Sequence, residues 1–196
     1  MSPRQLDLDL RTHGGRRRGA GRKPKGERPL VTHARRPRFD KPMPVHVTLK
    51  VRRDVPNLRS SRRFAAICRC FAASRGRHGL RLVEFSVLGD HLHLVVEAES
   101  SKSLSRAVQG LAVRVARALN QLLSRAGKLF ADHYHAHHLR TPTEVARALR
   151  YVRTNAEHHY GEGGTDFLSS LAAGAARFVV EPKTWLLLAG WRRGSG

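Results

Sequence analysis

Three alternating apolar stretches interleaved with two helical stripes, and a two-residue glycine turn joining the middle strands, predict an α+β domain. The order β-α-β-β-α-β is that of a ferredoxin-like split β-α-β sheet, antiparallel and of about four to five strands, with helices on one face. An extra helix follows the last strand and carries a tyrosine.

Val45, Val47, Leu49 and Val51 alternate with His46, Thr48 and Lys50, so from Pro44 onward the chain reads as a first strand with one apolar face. Phe64, Ile67, Cys68 and Phe71 recur at helical spacing and predict a helix over 60–74 with arginines on its wet side. Strands are expected at 80–88 and 91–98. Gly89-Asp90 between them fits a type II′ hairpin, which needs a left-handed first residue. Leu104, Val108, Leu111, Val115, Leu119 and Leu122 stripe a longer helix that Gly127 could close, and a fourth strand is expected over 128–139. Thr141-Pro142-Thr143-Glu144 supplies an N-cap, a first-turn proline and a capping-box glutamate, which start a helix over 142–158.

These elements place one folded domain at 41–160. Residues 1–40 are rich in Arg, Lys, Gly and Pro and poor in large apolar side chains, so they cannot repay the entropy of ordering and read as a flexible basic arm. Within it, Arg18-Gly19-Ala20-Gly21-Arg22-Lys23-Pro24-Lys25 loosely resembles an AT-hook; a nonspecific cationic tail accounts for it equally well. Residues 161–196 read as an extension packing on the domain, with a short helix at 167–178 and an apolar run at 185–188.

The 196-residue chain carries a formal charge of +22 and a pI near 11.6. Such a charge attracts polyanions over long range, and releasing counterions from phosphates rewards each Lys or Arg contact. Nucleic acid is the expected partner, although composition alone fits a ribosomal-type or nucleoid structural protein too. No apolar run is long enough to span a bilayer and the N-terminus is too charged for a secretory signal. A cytoplasmic, nucleoid-associated protein is expected, with Cys68 and Cys70 as reduced thiols and one of them buried.

His91 and His93 stand two apart in a strand, so both imidazoles project from one face. They can ligate a divalent ion, while in isolation such a pair is more often structural. Tyr151 and Asn155 are one turn apart on the last helix, about 5–6 Å apart at Cβ. Tyr151 lies off the apolar stripe of Val145, Leu149, Val152 and Ala156, where a phenol could attack a phosphodiester. His133, His135 and His137 alternate opposite Tyr134 and His138, and read as a polar surface facing DNA ahead of a second metal site. Tyr134 is the second candidate nucleophile, and His46 a sheet histidine near the site. Basic contacts to DNA are expected from Arg16, Arg17, Arg18, Arg22 and Lys23 in the arm. On the last helix they are expected from Arg150 and at positions 147–148, where the arginine is Arg147 and its neighbour is Ala148.

The stretch Val87-Leu88-Gly89-Asp90-His91-Leu92-His93-Leu94-Val95-Val96, a long helix, and then Arg150-Tyr151-Val152-Arg153-Thr154-Asn155 resembles the REP-associated tyrosine transposases, single-tyrosine HUH enzymes of bacterial insertion sequences. The resemblance covers residues 45–158. It implies a transposase or endonuclease that nicks single-stranded hairpin DNA and stays attached to the 5′ phosphate. It further implies a metal, Mg or Mn, held by His91, His93 and Asn155, with Tyr151 as nucleophile. The family commonly has Asn-Pro after the tyrosine turn; Asn155-Ala156 here lets the helix run further. A monomer or homodimer is expected, with no small-molecule substrate. Two other readings remain at this point: a nonenzymatic DNA- or RNA-binding protein, and a metal-dependent nuclease that uses water.

Overall fold

The computed structural model describes residues 37–161 and 166–194, apart from the side chain of His158. The AT-hook-like element and Arg16, Arg17, Arg18, Arg22 and Lys23 lie outside the described residues.

Strands β1 (Met43–Lys50), β2 (Arg81–Val87), β3 (His91–Ala98) and β4 (His135–His138) form one antiparallel sheet in the order β2-β3-β1-β4. Helices α1 (Ser61–Ser74) and α2 (Ser101–Leu122) make the two crossovers, and α3 (Pro142–Tyr160) follows β4. This is the split β-α-β arrangement that the order of periodicities anticipates.

Alternation divides the sheet into two faces. Val45 and Val47 of β1, Phe85 of β2 and Leu92 and Leu94 of β3 are fully buried beneath Ile67 of α1 and Val108, Leu111 and Val115 of α2. Burying each such side chain contributes about 1.5–3 kcal/mol, so this layer is the main core. Both Cys68 and Cys70 lie in it rather than one, and burial raises both thiol pKa values, that of Cys68 to about 12. On the opposite face, Val95 meets Leu139, Val145, Leu149 and Val152, which brings α3 across β2 and β3.

Local chemistry fixes the helix ends. The Thr141 hydroxyl accepts from Glu144 N while the Glu144 carboxylate accepts from Thr141 N and Arg140 N, the expected capping box. Gly161, left-handed at φ 66°, ends α3 at Tyr160, two residues beyond the expected end. Helix α2 starts earlier than its apolar stripe, on a Ser100/Ser103 capping box. It also ends before Gly127: Leu123 is its C-cap and Ser124 takes the positive φ, while Gly127 serves the next turn, its carbonyl accepting from Asn120 Nδ2.

Three further expectations differ. The fourth strand is confined to His135–His138, because the Asp132 carboxylate accepts from His133 N and the chain bends there; upstream only Phe130 bridges to Val51. The hairpin does close with Leu88 N donating to His91 O, yet Gly89 has no positive φ, so the turn is not type II′. Space at Gly89 is tight instead: a Cβ there would meet the Tyr160 hydroxyl, which accepts from Gly89 N, at 3.0 Å. Residues 167–178 form no α-helix, only a 3₁₀ turn at Ala175–Phe178. Their backbone satisfies the outer edge of β2, through Val87 N to Leu168 O and Ser170 N to Phe85 O, with Val180 N to Leu82 O beyond. Asp166 holds this segment through a two-point pair with Arg59, and the buried Glu97 accepts from Lys183 N, Thr184 N and the Thr184 hydroxyl just before the single turn α4 (Trp185–Leu188). Among the described residues no helix is long and apolar enough to cross a membrane.

Candidate active site

The face that α3 covers becomes polar toward one end of the sheet. Register sets His135, Thr48, His93 and Ser86 opposite one another on β4, β1, β3 and β2, with His137, His46, Val95 and Glu84 in the adjacent row. Residues opposite each other in a ladder share a face, so the histidines of three strands meet on one surface.

His93 is 4% exposed. Its Nδ1 lies 3.1 Å from His46 Nε2 and 3.3 Å from Thr48 Oγ1, whereas its Nε2 is buried with no hydrogen-bond partner. If Nδ1 carries the proton and donates it to these neighbours, Nε2 presents a lone pair. His91 is arranged alike: Asp90 Oδ1 holds its Nδ1, and Lys50 pairs with the other Asp90 oxygen at 3.4 Å. The two rings meet edge to face, centroids 4.6 Å apart.

Burial pushes the His93 pKa down to about 3, helped by His91, His46 and His159 and opposed by Asp90. His46 falls to about 4, again through burial first and then His137 and His135. Both rings are therefore neutral near pH 7, the form that ligates metals.

Helix α3 brings Tyr151 over this surface. Its ring stands edge-on to His93 at 5.0 Å and to His46 at 5.8 Å, and 41% of the residue stays exposed. One turn on, Asn155 is 1% exposed and its Nδ2 is buried without a partner. The four residues singled out by sequence, His91, His93, Tyr151 and Asn155, thus sit on one face of β3 and the helix above it. Among the described residues no three His, Cys, Asp or Glu side chains are placed to hold a metal. A metal here would take two imidazoles and complete its protein ligands from an amide or hydroxyl.

Other candidates divide. Tyr134 packs against the main core, and His138 is buried edge-on to Phe39, so neither joins the site. His135 and His137 are exposed beside His46, while His133 lies outside β4. Arg147 and Arg150 are exposed on α3, but Ala148 is 7% exposed, belongs to the core and offers no cation. Arg153 faces the other way, gripping both Glu84 oxygens beside Trp191. Thr48, Asp90 and Ser86 were not singled out from the sequence as site residues. Thr48 sits on the His46 face of the alternation and Asp90 adjoins His91, which is the signal that could have found them.

A family model described as IS200-like transposase matches residues 42–155. A REP-associated tyrosine transposase solved bound to a REP hairpin superposes with a TM-score of 0.58 at 12% identity, covering 82% of this chain and 92% of that one. A proposed transposase from Deinococcus radiodurans R1 is 18% identical, with a TM-score of 0.44 over 58% of this chain and 91% of its own. No curated protein matches. The first superposition extends the agreement in fold beyond the matched segment, and the match itself spans both the histidine strand and the tyrosine turn: the chain belongs to the IS200-like transposase family.

Proposed function

We propose that this protein cleaves and rejoins single-stranded, hairpin-forming DNA through a 5′-phosphotyrosine intermediate, with Tyr151 as nucleophile and His91, His93 and Asn155 holding a divalent metal, Mg or Mn. The observation that carries this reading is the packing of the exposed Tyr151 ring against the neutral, buried His93. The REP-associated transposase was solved on a REP hairpin, which supports a hairpin as the substrate class.

The residues fit a metal. His93 Nε2 is a buried ring nitrogen without a partner, and a cation would satisfy its lone pair; Asn155, buried one turn from Tyr151, would ligate through its amide oxygen while its Nδ2 donates to a neighbouring acceptor. The neutral His93 ring, a second imidazole and an amide oxygen are donors that a divalent ion accepts. Such an ion would draw charge from a nonbridging phosphate oxygen. Tyr151 Oη bonds to phosphorus as the bond to the 3′ oxygen breaks; the phenol loses its proton and the 3′ oxygen leaves as a hydroxyl. The number of phosphoester bonds is unchanged, so no nucleotide cofactor is consumed, and the reverse step on another 3′ hydroxyl reseals the strand. Arg147 and Arg150, exposed on the helix that carries Tyr151, would hold the DNA backbone, and the arginines of the arm would add phosphate contacts.

The test is to incubate the protein with labelled hairpin DNA and Mn²⁺ or Mg²⁺ and look for a denaturant-resistant adduct. An adduct lost in EDTA supports the reading. Tight binding without adduct or cleavage favours a binding-only protein, and cleavage without an adduct favours hydrolysis.

A further inference from the structure

Ser86 is fully buried, and its hydroxyl oxygen has no hydrogen-bond partner. It lies on β2 directly opposite His93 on β3, so their Cβ atoms are about 4.5–5.5 Å apart. Glu84, two residues earlier on the same strand face, holds Arg153 of α3, which sets this face of β2 beneath the helix that carries Asn155. Ser86 Oγ, His93 Nε2 and Asn155 Nδ2 are therefore three buried, unpartnered polar atoms from three neighbouring elements.

A buried hydroxyl without a partner is destabilising, and an alanine would avoid that cost. Thr48, in the same row on the other side of His93, already engages His93 Nδ1. With Nδ1 turned to Thr48 on β1, the ring edge that carries Nε2 is turned toward β2, the strand of Ser86. We propose that Ser86 is a positioning residue of the metal site, its hydroxyl hydrogen-bonding to the ligands or water around the ion that His93 and Asn155 hold. This rests on the metal-site reading given above. Metal ligands are commonly oriented by such outer groups, whose loss weakens metal affinity about 10–100-fold.

The test compares wild type, Ser86→Ala and Ser86→Thr by titration with Mn²⁺, following the free ion by electron paramagnetic resonance, with thermal unfolding measured with and without metal. Ser86→Ala is expected to keep or raise the metal-free Tm, weaken Mn²⁺ binding by about 10–100-fold and shrink the Mn²⁺-induced rise in Tm. Ser86→Thr, which keeps the hydroxyl, restores much of the affinity. Unchanged affinity in Ser86→Ala, with wild type binding Mn²⁺ normally, overturns the role of Ser86 alone. Failure of wild type to bind Mn²⁺ overturns the metal-site reading and this proposal with it.

Discussion

His46 Nε2 lies 3.1 Å from His93 Nδ1, and that one distance assigns the two imidazoles different tasks. His46 occupies Nδ1 of His93 and leaves Nε2 buried without a partner. His46→Ala should therefore leave His93 in place but loosely aimed, lowering Mn²⁺ affinity about 10–100-fold. Calorimetric titration checks this; an affinity equal to wild type would remove His46 from the site.

Neutral histidines also make the metal-free protein sensitive to acid. The folded pKa values of His46 and His93, about 4 and about 3, lie below their ordinary value of 6.5. As pH falls below 6.5 the unfolded chain takes up protons that the folded chain refuses, so stability is full above that value, drops as pH approaches 4 and 3, and then levels off. At about 1.4 kcal/mol per unit, the loss is on the order of 3–5 kcal/mol per histidine once both pKa values are passed. Urea unfolding between pH 7 and pH 4 should show a shallower decline for His46→Gln; parallel declines would contradict the assignment.

Arg153 and Arg150 should separate structure from binding. Arg153→Ala breaks the grip on Glu84 and should cost about 1 kcal/mol of stability while sparing DNA affinity. Arg150→Ala should do the reverse, lowering affinity and its dependence on salt. A large affinity loss in Arg153→Ala would place that side chain on the DNA.

Glu97 is expected to secure the C-terminal segment. It is 2% exposed and accepts three hydrogen bonds from Lys183 and Thr184. Glu97→Ala orphans those donors and should destabilise by about 2–4 kcal/mol. Limited proteolysis should then cut the chain after residue 180 first; a wild-type cleavage pattern would contradict it.

What could be read from sequence follows from where regular periods exist. The β1 alternation and the histidines of β3 carry period two, and the start of α3 carries a complete capping box, so the elements and their split β-α-β order were legible; that Tyr151 belongs with His93 followed from the resemblance to the tyrosine transposases and not from any period. The edge of β2 was not, because residues 168–180 satisfy it with backbone groups and no side-chain period. Gly89 shows another limit: a glycine crowded by Tyr160 and without a positive φ looks in sequence like one that serves a left-handed turn. Ser86 became visible only when the register set it beside His93.

Attack on DNA by Tyr151 is best checked by mapping the adduct. The chain has three tyrosines; Tyr134 packs on the core and the Tyr160 hydroxyl accepts from Gly89, leaving Tyr151 over the histidines. After reaction with hairpin DNA, nuclease trimming and proteolysis, mass spectrometry should find the nucleotide on the peptide that contains Tyr151, and Tyr151→Phe should bind DNA but form no adduct. Nucleotide on Tyr134 or Tyr160, or undiminished adduct in Tyr151→Phe, would rule out Tyr151 as the nucleophile.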